Sequence, residues 1–175
     1  MYYSDAEEVF KYQIAALQAA QQNIASNFDK AIEFILQSTG KVILTGVGKS
    51  SIIAHKIAAT LASTGTTAVY LNASEALHGD LGVIAKDDVM LMLSKSGTTI
   101  ELIKMLPTLN KFNVKTIGIF GNTQTPLAQS LDLVLDASVD REACPLNLAP
   151  MSSTTVALVI GDSIAAALMR KKNFQ

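Results

Sequence analysis

The residues best suited to chemistry in this sequence form a hydroxyl-rich loop around one glycine. Residues 94–99 read Ser-Lys-Ser-Gly-Thr-Thr, and they follow five apolar residues, 89–93, that are typical of a buried strand. Apolar residues then recur at helical spacing from Ile100 onward. This order predicts an anion site, because the free N–H groups and the positive dipole end of a helix point into such a loop. Four hydroxyls also exceed what helix capping needs. The phosphate-binding candidates are Ser94, Ser96, Gly97, Thr98 and Thr99.

Charged side chains near this loop are the candidates for proton transfer. Glu101 lies just inside the predicted helix, and Glu142 lies in the segment Asp-Arg-Glu-Ala-Cys-Pro. A glutamate in the first turn of a helix is common for dipole reasons alone, so residue chemistry leaves a solvated and a catalytic role open for both. Lys95, within the loop, either adds positive charge to it or points to solvent.

A second glycine-rich turn, residues 46–50, reads Gly-Val-Gly-Lys-Ser. It is not a P-loop, because Ile43 occupies the position of the first glycine. It is not a dinucleotide-binding turn either, because Ser51 stands where a third glycine is needed. What remains is a tight strand-to-helix turn that presents a lysine and a helix N-terminus. The residues that this turn offers to a ligand are Gly48, Lys49 and Ser50.

The histidines and the single cysteine are weaker candidates. His78 lies in a predicted loop near the same end of the sheet, whereas His55 lies within a predicted helix. Two isolated histidines make a poor metal site, and we predict no bound metal. Cys144 excludes an internal disulfide, is typical of a reducing compartment and is interpreted as a buried thiol. For Asp162, the sequence leaves both a solvated position and a position lining the site open.

Alternating elements must position these side chains. A capping box at residues 4–7 begins an N-terminal helical segment, 4–39, in which Gly40 is placed to end the second helix. Further helices are expected between the strands and at 152–171, with Pro107 kinking or breaking the one that it interrupts. The predicted strands are residues 41–45, 68–71, 89–93, 115–120 and 133–137.

This pattern predicts an α/β fold, a three-layer Rossmann-like sandwich with a five-stranded parallel sheet covered by helices on both faces. No linker or repeat divides the chain, so residues 1–175 are expected to form a single domain. Ligands of such sheets bind at the carboxyl ends of the strands. The turns at residues 46–50 and 94–99 are therefore expected to face one crevice.

Composition narrows the class of protein. The chain has 175 residues, 49% of them apolar, and a net charge of −1. This balance gives no indication of binding to nucleic acid or to an anionic membrane surface. The most apolar late run, residues 156–169, is shorter than the ~20 residues of a membrane span. We predict a cytoplasmic protein.

Several segments together resemble the sugar isomerase (SIS) domain family, whose mark is a Ser-x-Ser-Gly-x-Thr loop. Within that family the chain is similar to the arabinose-5-phosphate isomerases, above all through EALHGDLGVI (75–84), REACPLNLAP (141–150) and SSTTVALVIGDSIAAAL (152–168). The resemblance implies interconversion of D-arabinose 5-phosphate and D-ribulose 5-phosphate through a cis-enediol. It also implies a place in Kdo synthesis for lipopolysaccharide, and a homotetramer without an organic cofactor.

The resemblance assigns roles to individual residues. It implies catalytic roles for Lys49, Glu101 and Glu142, and a phosphate site at residues 94–99. Asn72 stands where relatives often have histidine, which weakens any metal site shared with His78. The positions that match substrate contacts are Gly65, Thr66 and His78.

Two features of the family are missing from this chain. The family has a catalytic histidine in a D-F-x-x-x-H-P-G-G segment just after the last helix, and many members carry two CBS domains beyond it. This chain stops at Gln175, before that histidine. We therefore expect either the SIS part of a longer protein or a form that lacks the histidine and has low activity. The alternatives to an arabinose-5-phosphate isomerase are a non-catalytic phosphosugar sensor and a 6-phospho-3-hexuloisomerase.

Overall fold

Short runs rich in Val, Ile and Leu form the strands of one parallel sheet. In the computed structural model, which describes residues 2–174, the strand order is β2-β1-β3-β4-β5 and all neighbouring strands are parallel. Each strand lies within one residue of its predicted bounds, so the predicted sheet is confirmed. The strands are β1 (Val42–Gly46), β2 (Ala68–Asn72), β3 (Val89–Ser94), β4 (Lys115–Phe120) and β5 (Leu133–Asp136).

Helices cover both faces of this sheet, because side chains of successive strand residues point in opposite directions. Leu44 and Leu91 pack with one group of helices, whereas Ile43 and Met90 pack with the other. The helices on the first face are α1 (Tyr2–Asn23), α2 (Phe28–Gln37), α3 (Lys49–Ser63) and α7 (Ser152–Lys171). Those on the second face are α4 (Ala73–Ala76), α5 (Ile100–Lys111) and α6 (Pro126–Ser130), with a 3₁₀ turn at Asp80–Val83.

Two local predictions were wrong. Helix α1 begins at Tyr2, so Ser4 lies in its first turn and is not the N-cap. No residue between Tyr2 and Ser4 is of a type that breaks a helix. Helix α2 ends at Gln37, before Gly40. Gly40 instead lies against the loop that precedes β3, where a Cβ atom would come 2.5 Å from the carbonyl oxygen of Asp87.

Of the kink or break predicted at Pro107, the break is excluded, because α5 continues to Lys111. Pro107 faces solvent, whereas Met105 and Leu109 on either side of it are fully buried. Burial of these two side chains holds the second half of the helix in place despite the hydrogen bond that proline removes.

Helix α7 is long and apolar enough to cross a membrane by length and composition. In this fold it packs against α1 and α3, and Val156, Ile160, Ile164 and Leu168 are buried there. It is therefore a core helix here, and its apolar character is explained by this packing.

The strand order changes direction between β1 and β3. From β1 the chain passes to β2 on one side, and then returns to β3 on the other. Gly46 at the end of β1 pairs with Leu93 near the end of β3. At such a switch point the two following loops separate, which leaves a crevice at the carboxyl edge of the sheet.

Candidate active site

A cavity of about 320 Å³ lies at this switch point. The turn after β1, the loop after β3 and the N-terminus of α7 all contribute to its wall, so the prediction that the two turns face one crevice is confirmed. The polar residues that line it are Lys49, Ser50, Ser94, Lys95, Ser96, Thr99, Ser153 and Thr154.

The loop at residues 94–99 has a shape fixed by its own hydrogen bonds. The hydroxyl oxygens of Ser94 and Thr99 lie 2.8 Å apart, and the N–H of Gly97 donates to Ser94 Oγ at 3.0 Å. Gly97 has a φ of 66°, and a Cβ atom there would lie 2.5 Å from the carbonyl oxygen of Asn122. Only glycine fits both constraints. Ser96, which also lines the cavity, and Thr98 have exposed side chains.

Two helices begin at the cavity without a side-chain cap. Gly48 is the N-cap of α3 and Thr99 that of α5, and in neither helix does a cap side chain accept a hydrogen bond from the N–H groups of the first turn. Apart from that of Ser51, which donates to the carbonyl of Gly48 at 3.1 Å, the N–H groups of these turns are therefore available to an anion, with the positive ends of both helix dipoles behind them. This geometry is what a phosphate group requires.

Glu142 is a buried carboxylate at the N-terminus of α7. Its Oε2 accepts hydrogen bonds from the N–H groups of Met151 at 2.7 Å and Ser153 at 3.2 Å. Its Oε1 accepts from Ser153 Oγ at 2.5 Å and pairs with Lys95 Nζ at 2.8 Å. Burial alone would raise the pKa of Glu142, but these hydrogen bonds, that of Lys95 foremost, outweigh burial and lower the pKa to about 2.

The partners of Glu142 are what sequence reasoning missed. The sequence leaves two roles open for Lys95, adding charge to the loop or pointing to solvent, and it does not mark Ser153 as a site residue. The only signal for Ser153 was the Ser-Ser-Thr-Thr run at the start of a predicted helix. Nothing in the sequence indicated that Glu142 would reach this helix from the preceding loop.

The loop that carries Glu142 is anchored on both sides. Arg141 donates from Nη1 to the hydroxyl of Tyr12 at 3.0 Å, and its guanidinium carbon lies 4.1 Å from the centre of that ring. The side chain of Asn147 accepts from the N–H of Glu142 at 2.7 Å. Cys144 is buried in the same loop, and backbone N–H groups, those of Leu148 first, lower the pKa of its thiol. Arg141 therefore ties the Glu142 loop to α1.

The other predicted catalytic residues are less enclosed. Lys49 lines the cavity with an exposed side chain. Glu101 lies in the first turn of α5, half-buried, and is not among the residues that line the cavity. Within residues 2–174 neither side chain has an ion-pair partner.

Three predicted substrate contacts lie outside the cavity. His78 is exposed in the turn that follows α4. Gly65 and Thr66 follow the C-terminus of α3, at the opposite edge of the sheet from the loop at residues 94–99. There Lys172 Nζ donates to Thr66 Oγ1 at 3.0 Å. One chain does not bring these residues to the cavity.

The remaining polar candidates have local roles. His55 stacks on Tyr70 with ring centres 4.9 Å apart, and Asp162 forms an exposed ion pair with Lys56 at 2.5 Å. Asp162 is thus paired outside the cavity, which settles that open question. Asn72 caps α4 by accepting from the N–H of Ser74 at 2.9 Å. Across residues 2–174 there is no group of three His, Cys, Asp or Glu side chains that could hold a metal ion.

Comparison with known proteins is consistent with this geometry. The profile of the SIS domain matches residues 35–167. The chain belongs to the SIS domain family. Among solved structures, this SIS domain is similar to a protein of Escherichia coli CFT073 in complex with arabinose 5-phosphate, with a TM-score of 0.93 and 41% identity over 97% of this chain and 90% of the other. The parallel α/β fold is thus shared with solved relatives.

Curated relatives narrow the similarity further. The SIS domain is 48% identical over 159 residues to arabinose 5-phosphate isomerase KdsD of Pseudomonas aeruginosa, which covers 91% of this chain and 49% of the relative. It is 45% identical over 174 residues to KdsD of Francisella tularensis, covering 98% of this chain and 53% of the relative. The chain spans about half the length of the curated relatives that it matches.

Proposed function

We propose that this SIS domain is an aldose–ketose isomerase that interconverts D-arabinose 5-phosphate and D-ribulose 5-phosphate. One observation carries the proposal: a single cavity joins an uncapped, hydroxyl-rich helix N-terminus to the exposed Lys49 and to Lys95 and Ser153, which hold a buried carboxylate. The first part fits a phosphate, and the second fits proton transfer beside a carbonyl. The names of the curated relatives and the sugar phosphate bound to the Escherichia coli protein support the choice of sugar.

In this mechanism the loop at residues 94–99 fixes the phosphate and leaves C1 and C2 of the open-chain sugar near Lys49 and Glu142. Glu142 takes the proton from one carbon and returns it to the other, through a cis-enediol, while the proton of the neighbouring hydroxyl passes to the original carbonyl oxygen. A well-placed general base contributes about 10²–10⁴-fold to such a rate. Lys49 stabilises the negative charge that develops on the enediolate oxygen.

Neither glutamate lines the cavity itself, but Glu142 is the better placed of the two, because its hydrogen-bond partners Lys95 and Ser153 do. In the free protein, however, its pKa of about 2 makes it a weak base at neutral pH. For Glu142 to act as the base, substrate binding has to change the hydrogen bonds that lower its pKa. Glu101, in the first turn of α5, is assigned a supporting role.

We further propose that the active form is a homotetramer in the cytoplasm that serves Kdo synthesis for lipopolysaccharide. Gly65 and Thr66 lie away from the cavity of their own chain, so a neighbouring copy must supply them if they contact the sugar. The exposed apolar side chains of Tyr3, Phe10 and Ile14 on α1 suit contact with such a copy.

The test supplies arabinose 5-phosphate and measures ribulose 5-phosphate. Glu142→Gln is expected to lower kcat by at least about 10²-fold, in the range typical of a lost general base. Glu101→Gln is run beside it, and Glu33→Gln, an exposed glutamate on α2, is the matched control. Binding of the phosphosugar without turnover, unchanged by either active-site substitution, would indicate a sensor and refute the isomerase.

A further inference from the structure

Lys95 connects the two halves of the cavity. Its backbone belongs to the loop at residues 94–99, and its Nζ lies 2.8 Å from Glu142 Oε1. The backbone is fixed in place by Gly121, where a Cβ atom would come 2.6 Å from the carbonyl oxygen of Lys95. The side chain, by contrast, is 47% exposed. A lysine ammonium on a flexible stem can change partners without moving the backbone.

Glu142 keeps its position without Lys95. Three other donors, the N–H groups of Met151 and Ser153 and the hydroxyl of Ser153, hold the carboxylate at the start of α7. What Lys95 adds is positive charge, which keeps the carboxylate acidic. Of the other charged groups near Glu142, Lys49 lines the same cavity from α3, and Arg141 is turned toward Tyr12.

A bound phosphate competes for the same ammonium. The phosphate of the sugar carries about two negative charges near pH 7 and would be held by the loop that contains Lys95. Glu142 offers one negative charge, and its three remaining donors satisfy it when the ammonium leaves. Coulomb attraction therefore favours transfer of Lys95 to the phosphate once the loop is occupied.

We propose that Lys95 is a positioning residue that changes partner, pairing with Glu142 in the free protein and with the substrate phosphate in the complex. This transfer frees Glu142 to take a proton from the sugar. The base becomes competent only when a phosphorylated sugar is bound, so an unphosphorylated pentose leaves it paired. The inference rests on the proposed isomerase function, because it assigns Glu142 as the base.

Binding and turnover are measured separately on Lys95→Met. The binding probe is D-arabitol 5-phosphate, the reduced sugar phosphate that cannot isomerise, titrated by calorimetry. Loss of one charge-assisted hydrogen bond at a half-exposed site is expected to weaken Kd about tenfold. In turnover of arabinose 5-phosphate, kcat/KM falls about tenfold through KM, and kcat changes less than about threefold, because in the wild-type complex Lys95 has already left Glu142.

Lys104→Met is the matched control, since Lys104 is an exposed lysine on α5 without an ion pair among the described residues. It should behave as the wild type. A fall in kcat with unchanged affinity in Lys95→Met would mean that Lys95 serves Glu142 throughout, and would overturn the proposal. Unchanged affinity and unchanged kcat would overturn it as well. Lys95→Gln repeats both measurements if the methionine variant does not fold.

A crystal structure with D-arabitol 5-phosphate tests the transfer directly. Lys95 Nζ is expected about 2.8 Å from a phosphate oxygen. An ammonium still paired with Glu142 in the complex would refute the transfer. If the wild type binds the probe but does not convert arabinose 5-phosphate, the isomerase function fails, whereas the affinity of Lys95→Met still decides whether Lys95 binds the phosphate.

Discussion

Replacing Glu142 by glutamine should make the protein less stable at neutral pH and remove part of its acid sensitivity. The carboxylate is 1% exposed and accepts from two N–H groups, a hydroxyl and an ammonium. The amide keeps one oxygen for the N–H groups of Met151 and Ser153. It loses the negative charge that pairs with Lys95, whose ammonium then turns to solvent.

The size of the effect follows from the pKa. A pKa of about 2 in the folded protein, against an ordinary value of 4.5, corresponds to about 3 kcal/mol of stability at pH 7. Lys95 is half exposed, so part of this value is screened by solvent, and we expect a loss of about 2 kcal/mol in Glu142→Gln. For a chain of this size that is roughly 4–8 °C in Tm.

The lowered pKa of Glu142 also sets the direction in which the stability changes with pH. Because folding lowers the pKa of Glu142, its contribution is complete above the unfolded value near 4.5 and is lost as the pH falls toward 2. The wild type should therefore lose stability between about pH 5 and pH 3. Glu142→Gln should lose less over the same range, so the two unfolding free energies converge in acid.

Urea unfolding at several pH values between about 3 and 7 measures this difference. Glu33→Gln is the control for loss of an exposed carboxylate, and it should follow the wild type at every pH. The reasoning would be refuted if Glu142→Gln unfolded at the wild-type urea concentration at neutral pH, or if the gap between the two proteins did not narrow in acid.

Three further substitutions test the loop, the packing and the lysine. Gly97→Ala combines a positive φ with a clash against Asn122, so we expect at least about tenfold weaker binding of D-arabitol 5-phosphate in calorimetry; unchanged affinity would contradict the assigned phosphate loop. Gly161→Ala places a methyl group on the buried Ile57, and a loss of about 1–3 kcal/mol in urea unfolding is expected, whereas a stability equal to that of the wild type would show that α3 and α7 separate easily. Lys49→Met should lower kcat for arabinose 5-phosphate by about 10²-fold, and a kcat near that of the wild type would exclude Lys49 as the group that stabilises the enediolate.

Much of the fold could be predicted because its signals are local. A strand buried on both faces reads as a continuous apolar run, and this property located all five strands to within one residue. The errors at Ser4 and Gly40 were also local in origin. In both cases a common helix start or stop signal was given more weight than the surrounding helix or its packing.

The candidate site was predictable only in part. The loop at residues 94–99 carries its own composition and spacing, so its place before a helix could be predicted without knowledge of the rest of the chain. The state of Glu142 could not, because its hydrogen-bond donors come from two other parts of the chain. Residue chemistry alone left a solvated and a catalytic role open, and only burial beside Lys95 and Ser153 distinguishes them.

The sequence by itself determined the sheet, the order of its elements and the hydroxyl-rich loop at residues 94–99, since each depends on residues that are adjacent or regularly spaced. Tertiary structure decided which charges meet. It brought Lys95 to within 2.8 Å of Glu142 and left Gly65 and Thr66 at the other edge of the sheet. A pKa depends on distance, burial and hydrogen bonding in three dimensions, and spacing along the chain does not encode these quantities.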